Sequence, residues 1–436
     1  MPKPIICLSD TLRQFAEAFR DLFTKPQWKY FVTVLLGLVE CQERRTLSGL
    51  LRCVAAQVSL AGLSRFLSQA PWSEQAVAER WQTRFRQRLL PLVQAEHDRQ
   101  QAEREPRVGR PKATLVTGYL ILDDSPHVKV KGRKMQGLGQ HHSTIEKRRV
   151  TGHSLFTGLY VVLGQCCPLA PQMYRQQVTC QAEGVSFQSK VEMAEETVAT
   201  CQPVPNTETH VLVDSWYFCQ RVHKAAQKRG WEMSGGVKSN RTMRRIAPDG
   251  TRHWLKLSDY AASLSDADFE PVVWPSAQGG RTIYAHRVTT WVRKFGPVQL
   301  LVTRETLEAP RTQWRYWATT LMEVDAQAIV DILAIRWDIE TLFEDSKDLL
   351  GADHYQVMTA QAIVRFWTLV ACIAAFLDEQ RAAPREATLQ PYLTRGEVRM
   401  TLQTQHQLNL LTWIDEQLRN GLSPKQVQTC LVNPLS

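Results

Sequence analysis

Residues 115–124 read LVTGYLILDD, a mostly apolar run that ends in two aspartates. Its valine, isoleucine and aromatic residues predict a strand buried in a sheet. Further strand patterns follow at 154–165 and 169–174, then a helical pattern at 189–201 and a short apolar strand pattern at 210–218. A helix, QRVHKAAQKRG, and a strand, WEMSGGVK, complete the series. The sequence therefore predicts a sheet whose later strands are connected by helices.

This order, three strands, a helix, a strand, a helix and a strand, is typical of ribonuclease-H-like folds. Turn patterns such as PDGT and SAQGG alternate with strand patterns further along and predict a β-rich insertion. We expect an α+β multidomain protein with a helical N-terminal domain, a ribonuclease-H-like α/β core interrupted by that insertion, and a helical C-terminal part. The predicted boundaries are 1–105 for the helical domain, 106–113 for a basic linker, 114–240 for the first part of the core, 241–320 for the insertion, 321–380 for the completion of the core and 381–436 for the C-terminal helices.

Residues 46–69 predict two short helices around a tight turn, with Ser59 as the N-cap of the second helix. This pattern resembles a helix-turn-helix. The side chains offered to a DNA major groove would then be Ser64, Arg65, Ser68 and Gln69. A plain helical bundle is the alternative, and the absence of glycine from the turn favours it.

The composition indicates a basic protein with unpaired thiols. Lysine and arginine number 53 against 43 acidic residues, a formal charge of +10, which suits a polyanionic partner without proving one. The ten cysteines form no CxxC pair and no zinc-binding Cys/His spacing. Because no long apolar run follows the N-terminal charge, we expect a cytoplasmic protein. The apolar stretches at 31–39 and 369–377 are too short to cross a bilayer and predict core helices.

Carboxylates follow two of the predicted strands. Asp123 and Asp124 end the first, and Asp214 follows VLV in the second. A carboxylate at a strand end costs little if it meets solvent or a metal ion there. A single aspartate in this position more often begins a turn, so neither site decides the function by itself.

A third acidic position lies on a later helix, predicted over 325–351 and closed by a glycine. The three-and-four spacing of a helix places five side chains on one face: Arg336, Glu340, Phe343, Glu344 and Lys347. The alternative is an ordinary amphipathic helix whose charges pair locally.

These residues resemble the DDE insertion-sequence transposases that carry a Y-R-E-K signature, in particular the IS-four and IS-seven-hundred-one groups. The signature runs tyrosine, two residues, arginine, three residues, glutamate, six residues, lysine. Arg336, Glu340 and Lys347 match its last three places, and Leu333 stands in the tyrosine place. The order ILDDSP, VKVKGRKMQGLG, GHSLF, VLVDSWY and RWDIETLFEDSK is also similar to that of the family.

The resemblance implies a catalytic, metal-binding set of Asp124, Asp214 and Glu340, with Asp123 and Glu344 as the alternatives. Asp124 is preferred because relatives carry the catalytic aspartate directly before serine or threonine. Since neighbouring residues of a strand face opposite sides, only one of the pair can bind the metal.

The resemblance further implies that two Mg²⁺ or Mn²⁺ ions assist cleavage of transposon ends and their joining to target DNA. The expected partners are double-stranded DNA with terminal inverted repeats, target DNA and a second copy of the chain. Phosphate contacts are expected from Arg336, Lys347, Lys129, Lys131, Arg133 and Lys134, although the last four could form an exposed basic hairpin instead. The alternative functions are a domesticated DNA-binding protein that no longer cuts and a ribonuclease-H-like nuclease that cuts without joining.

Overall fold

The computed structural model describes residues 3–4, 8–55, 58–103, 115–132, 134–143, 147–246, 249–276, 279–382 and 393–431. They form a mixed α/β structure built around one large mixed sheet. The predicted linker at 106–113 lies outside these residues.

The N-terminal region is helical, as the sequence predicts. Ser59 caps its fourth helix, since its hydroxyl accepts a hydrogen bond of 3.0 Å from the Gly62 amide. A pair of two-residue strands, which the helical pattern does not predict, joins the beginning of the chain to the end of the third helix. The elements are β1 (Lys3–Pro4), α1 (Asp10–Glu17), α2 (Lys25–Glu40), α3 (Leu47–Cys53), β2 (Val54–Ala55), α4 (Leu60–Ser68) and α5 (Glu74–Ala102).

The next segment forms the centre of the sheet. Its elements are β3 (Val116–Val128), β4 (Gly139–Ser143), β5 (Arg148–Val162), β6 (Gln165–Pro168), β7 (Gln172–Tyr174), α6 (Gln177–Glu183), α7 (Lys190–Thr200), β8 (Thr207–Val213), α8 (Gln220–Lys228) and β9 (Glu232–Gly236). Strand β3 lies between β5, which is antiparallel to it, and β8, which is parallel. Strand β9 continues the sheet in parallel with β8. Leu120, Ile121 and Leu122 of β3 are fully buried, which explains the apolar run before the two aspartates.

The predicted β-rich region consists mainly of strands, and it extends the same sheet. Strand β15 pairs antiparallel with β9, which joins the two halves. The elements are β10 (Thr242–Ile246), β11 (Arg252–Lys256), α9 (Leu257–Ala262), β12 (Glu270–Trp274), β13 (Arg281–Val292), β14 (Gly296–Arg304) and β15 (Arg315–Thr319).

The remaining elements are helices: α10 (Ala326–Ile335), α11 (Trp337–Asp348), α12 (Ala360–Arg381), α13 (Arg395–Arg419) and α14 (Pro424–Leu431). The prediction of a single helix over 325–351 is therefore wrong, because the helix is interrupted at Arg336, between α10 and α11. Helix α10 packs on β12 and β13 of the insertion, whereas α11 packs on β3 and β5. One straight helix could not pack on both the insertion and the core.

Helix α12 lies at the centre of the helical layer, in contact with α2, α4, α5 and α13. Among the described helices it alone is long and apolar enough to cross a membrane, and 78% of its most apolar stretch of 18 residues is buried inside the protein. That burial is typical of a core helix, as the stretch at 369–377 predicts. The described cysteines are free thiols, most of them buried.

Candidate active site

Two parallel strands bring two of the aspartates to one edge of the sheet. Leu122 of β3 is in register with Val213 of β8, and each is followed directly by an aspartate. Asp123, within β3, and Asp214, directly after β8, thus lie side by side at the same level of the sheet. The Asp214 carboxylate turns back on its own loop, where Oδ1 accepts hydrogen bonds from the amides of Trp216 (2.9 Å) and Tyr217 (3.1 Å).

Asp123 faces helix α11. The Arg336 Nη1 atom lies 3.4 Å from Asp123 Oδ2 and 3.3 Å from Glu340 Oε1, so one guanidinium bridges the two carboxylates. Arg336 stands at the break between α10 and α11, one turn before Glu340. The break therefore places the arginine between the strand and the helix.

Negative charge accumulates around Asp123. Burial, followed by the carboxylates of Asp214, Glu340 and Asp124, raises the pKa of Asp123 well above its usual value. Burial also raises the pKa of Asp214, partly offset by its two backbone hydrogen bonds. The three carboxylates of Asp123, Asp214 and Glu340 are thus electrostatically coupled, with Arg336 as the cation between two of them.

Asp124 faces the other side of the strand, toward α7. Its carboxylate accepts hydrogen bonds from the Tyr217 hydroxyl (2.6 Å), the Ser154 hydroxyl (2.8 Å) and Lys190 Nζ (2.5 Å). The Asp124 and Lys190 side chains are only 16% and 21% exposed. Asp124 therefore has three side-chain donors, whereas Asp123 has the Arg336 guanidinium at 3.4 Å and the Asp124 amide at 2.8 Å.

Lys347 also points into the site. Its Nζ donates a hydrogen bond of 2.7 Å to Ser125 Oγ, which lies on the same side of β3 as Asp123. Burial lowers the pKa of Lys347 from its usual value. Glu344, the alternative third carboxylate, is exposed. Leu333, in the signature's tyrosine place, is buried in α10.

The basic residues after β3 have different environments. Lys129 Nζ donates to the backbone carbonyls of Asp353 (2.5 Å) and Tyr355 (3.0 Å) and lies 3.5 Å from the centre of the Tyr355 ring. Burial lowers the Lys129 pKa to about 8. Lys131 and Lys134 are exposed, and Arg133 lies outside the described residues. Lys129 is thus bound within the protein, whereas two of its neighbours face solvent.

A cavity of about 590 Å³ opens beside the carboxylates. Asp214 and Arg336 contribute to its wall, and strand β15 and the turn before it add Arg311, Arg315 and Tyr316. In the N-terminal region, Ser64 and Arg65 of α4 and Gln69, directly after it, are exposed and Ser68 is half-buried. The helix-turn-helix interpretation stays a prediction.

The sequence did not indicate Ser125, Ser154, Lys190 or Tyr217 as partners of the acidic residues. Tyr217 had a local signal, since it follows Asp214 by three residues in VLVDSWYF. Ser154 and Lys190 lie 30 and 66 positions from Asp124 along the chain and had none.

Comparisons with known families identify the family of the chain. The family model described as DDE superfamily endonuclease matches residues 18–254, which include both Asp123 and Asp214. The model described as Transposase DDE domain matches residues 188–377, which include Asp214 and Glu340. No curated protein matches the chain. Because the first match alone spans more than half of the 436 residues, the chain belongs to the DDE endonuclease superfamily and is a DDE transposase.

Proposed function

We propose that the protein cleaves transposon ends and joins them to target DNA, with Asp123, Asp214 and Glu340 as its catalytic carboxylates. The observation that carries this proposal is the Arg336 bridge between Asp123 and Glu340, beside the neighbouring strand that ends at Asp214. Asp123 replaces Asp124, the residue that the sequence favours, because Asp123 faces Arg336 and Glu340, whereas Asp124 faces the other side of the strand and is paired with Lys190.

The order of the central strands supports a ribonuclease-H-like core. Strands β9, β8, β3 and β5 are adjacent in this order, with β5 antiparallel to the other three, and β6 and β7 pair with the far side of β5. In this arrangement the helix after the insertion brings its glutamate back to the strand that carries the first aspartate.

The donor chemistry of the site suits divalent metal ions, which DDE transposases generally use. Among the described residues, no group of three Asp, Glu, His or Cys side chains is gathered closely enough to hold one ion. The buried, mutually repelling carboxylates nevertheless provide the oxygen ligands that Mg²⁺ and Mn²⁺ prefer. Two such ions, when bound to Asp123, Asp214 and Glu340, would activate the attacking oxygen and stabilise the leaving oxygen.

The cations of the site have separate tasks in this proposal. Arg336 holds Asp123 and Glu340 together until DNA arrives, and its fork of donors can then bind a phosphate next to the scissile bond. Lys347 offers a single charge to a phosphate from the Ser125 side. Asp124 fixes the loop that carries Asp214, because it accepts the Tyr217 hydroxyl bond.

The substrates in this proposal are two DNA duplexes, one with terminal inverted repeats and one as target. The exposed side of α4 and the exposed Lys131 and Lys134 would contact the DNA backbone. A homodimer that bridges two transposon ends is proposed on the resemblance alone.

The Glu340→Gln variant tests the proposal, with Glu344→Gln as a matched control. Both changes remove one carboxylate from α11, but Glu344 is exposed and one turn farther along. We expect Glu340→Gln to abolish Mg²⁺-dependent cleavage of an end duplex while it still binds that duplex, and Glu344→Gln to cleave normally. Cleavage by Glu340→Gln at the wild-type rate would remove Glu340 from the site.

The same assay, with a target plasmid added, separates the candidate functions. Joined products support transposition. Cutting without joining would indicate a nuclease, and specific binding without cutting in the wild type would indicate a domesticated DNA-binding protein.

A further inference from the structure

One face of the sheet at the outer end of the insertion carries two tryptophans beside an arginine. Arg244 of β10 lies directly opposite Trp254 of β11. Because Met243 pairs with Val292 of β13, Arg244 also lies beside Trp291, and its guanidinium carbon is 5.3 Å from the centre of that ring. Trp254 and Trp291 are 47% and 40% exposed. Met243 and Val292 are buried on the opposite face, so the three-residue row faces outward.

The same face is strongly basic. Arg252 and Lys256 stand two positions before and after Trp254 on β11, so all three side chains point to one side. Both cations are exposed. Within the part of the chain that the structure describes, neither they nor Arg244 form an ion pair with a carboxylate. We call Arg244, Arg252, Trp254, Lys256 and Trp291 the outer platform.

The outer platform begins at the rim of the catalytic cavity. Ser239, just before β10, and Ser258, just after β11, both line the cavity that contains Asp214 and Arg336. The Ser258 amide donates to the Ser239 carbonyl (3.0 Å), which closes the base of the hairpin. Thr242 and Lys256 form the cross-strand pair nearest the base of the hairpin, and Arg252 lies at the far end of β11. A strand leaving the cavity along this hairpin would therefore meet Lys256 first.

Protection of a sheet edge does not explain this surface. Strand β11 is an edge strand, and charges on such a strand discourage pairing with other chains. Exposed tryptophans on the same face have the opposite effect, because they add apolar area open to contact. Aromatic rings set among cations are, however, the usual composition of surfaces that bind single-stranded nucleic acid.

We propose that the outer platform binds a short unpaired stretch of the DNA strand that leaves the catalytic cavity. Arg244, Arg252 and Lys256 neutralise phosphates, and Trp254 and Trp291 stack on bases. The four residue steps from Arg252 to Lys256 span about 13 Å at about 3.3 Å each, which is room for only a short stretch of the strand. The inference rests on the proposed function for the identity of the polymer, but not on the carboxylates.

The test is fluorescence anisotropy of the full chain, without divalent ions, with a labelled single-stranded oligonucleotide and a duplex of equal length. The variants are Trp254→Ala, Trp291→Ala and Trp254→Phe, with Lys425→Ala on the exposed side of α14 as the control. We expect each tryptophan-to-alanine change to weaken single-strand binding about 5- to 100-fold. Duplex binding should change little, Trp254→Phe should bind nearly normally, and Lys425→Ala should match the wild type. Thermal melting checks that each variant is folded.

Unchanged single-strand binding by the double variant Trp254→Ala/Trp291→Ala would overturn the proposal. An equal loss for single strand and duplex would overturn it too, since stacking requires unpaired bases. Should the double variant not fold, Arg244→Ala with Lys256→Ala tests the phosphate contacts, and unchanged binding there has the same meaning. The binding assay contains no divalent metal, so its outcome is independent of the Mg²⁺-dependent cleavage assay. Failure of the outer platform to bind single strands leaves the cleavage result valid, and a wild type that does not cleave leaves the binding result valid.

Discussion

Asp124→Asn and Asp123→Asn should affect the stability of the protein differently. The first should be less stable than the wild type, and the second should be at least as stable. Asp124 accepts three hydrogen bonds, from Tyr217, Ser154 and Lys190. Its asparagine variant turns one acceptor oxygen into an NH₂ group that faces a donor, and it removes the charge opposite Lys190. The loss of one hydrogen bond to a charged group costs about 1.5–3 kcal/mol. Burial and the neighbouring carboxylates disfavour the charge of Asp123 despite the Arg336 contact, so Asp123→Asn should be at least as stable as the wild type.

The expected change in melting temperature follows from the length of the chain. At about 2.1 cal/mol/K per residue, the cooperative unfolding of 436 residues has an entropy of about 0.9 kcal/mol/K. Asp124→Asn should therefore lower Tm by about 2–3 °C in metal-free calorimetry at neutral pH, whereas Asp123→Asn should leave Tm unchanged or raise it.

The pH dependence of the Asp123→Asn effect has a definite sign. Folding raises the pKa of this carboxyl, so the cost of its charge is fully present above the folded pKa and vanishes as the pH falls below the ordinary value of about 3.9. The advantage of Asp123→Asn over the wild type should shrink as the pH is lowered toward 4.

A cleavage assay completes the test. Asp123→Asn should show no Mg²⁺-dependent cutting, and Asp124→Asn should retain a reduced rate because it only loosens the Asp214 loop. The reasoning is refuted if Asp123→Asn cuts normally while Asp124→Asn does not, which would return Asp124 to the metal site.

Four further substitutions separate contacts to DNA from contacts within the protein. Lys347→Met should reduce cleavage about 10- to 150-fold, the value of one charged hydrogen bond. An unchanged single-turnover rate would contradict this. Lys131→Ala should weaken duplex binding, measured by fluorescence anisotropy, and leave Tm unchanged, because its side chain is exposed. Lys129→Met should lower Tm, because it loses the hydrogen bonds to two backbone carbonyls. The reverse pattern would show that Lys129 contacts DNA and Lys131 contacts the protein. Arg395→Met should lower the free energy of unfolding by about 3 kcal/mol in a denaturant titration, because it leaves the Asp378 carboxylate, 2% exposed, with fewer partners. A smaller loss would show that Arg381 alone compensates the Asp378 charge.

The elements around the site could be predicted because each has a strong local pattern. Apolar runs before aspartate predict β3 and β8, although only β8 ends there and β3 continues to Val128, and the Arg336, Glu340 and Lys347 spacing predicts one helix face. The choice between Asp123 and Asp124 could not be made in the same way. Alternation along a strand shows that the two side chains face opposite sides, but only the packing of α11 shows which of them meets Arg336 and Glu340.

The break at Arg336 is another feature that the local sequence does not show. Residues 325–351 contain no proline, and their only glycine is at the end, so the periodic pattern predicts an uninterrupted helix. Two surfaces compete for that segment, one on the insertion and one on the core. Tertiary packing overrides helix propensity where the two demands meet.

This competition gives the insertion a direct part in the geometry of the site. Helix α10 is held by the insertion through a separate apolar cluster that includes Ile329, Val330 and Leu333 against β13 and β14. Helix α11 is held by β3 and β5. Arg336 is the residue where the two helices meet, so the position of its guanidinium between Asp123 and Glu340 depends on both attachments. The β-rich region thus lines the cavity beside Asp214 through β15 and also positions, through α10, the cation that bridges the Asp123 and Glu340 carboxylates.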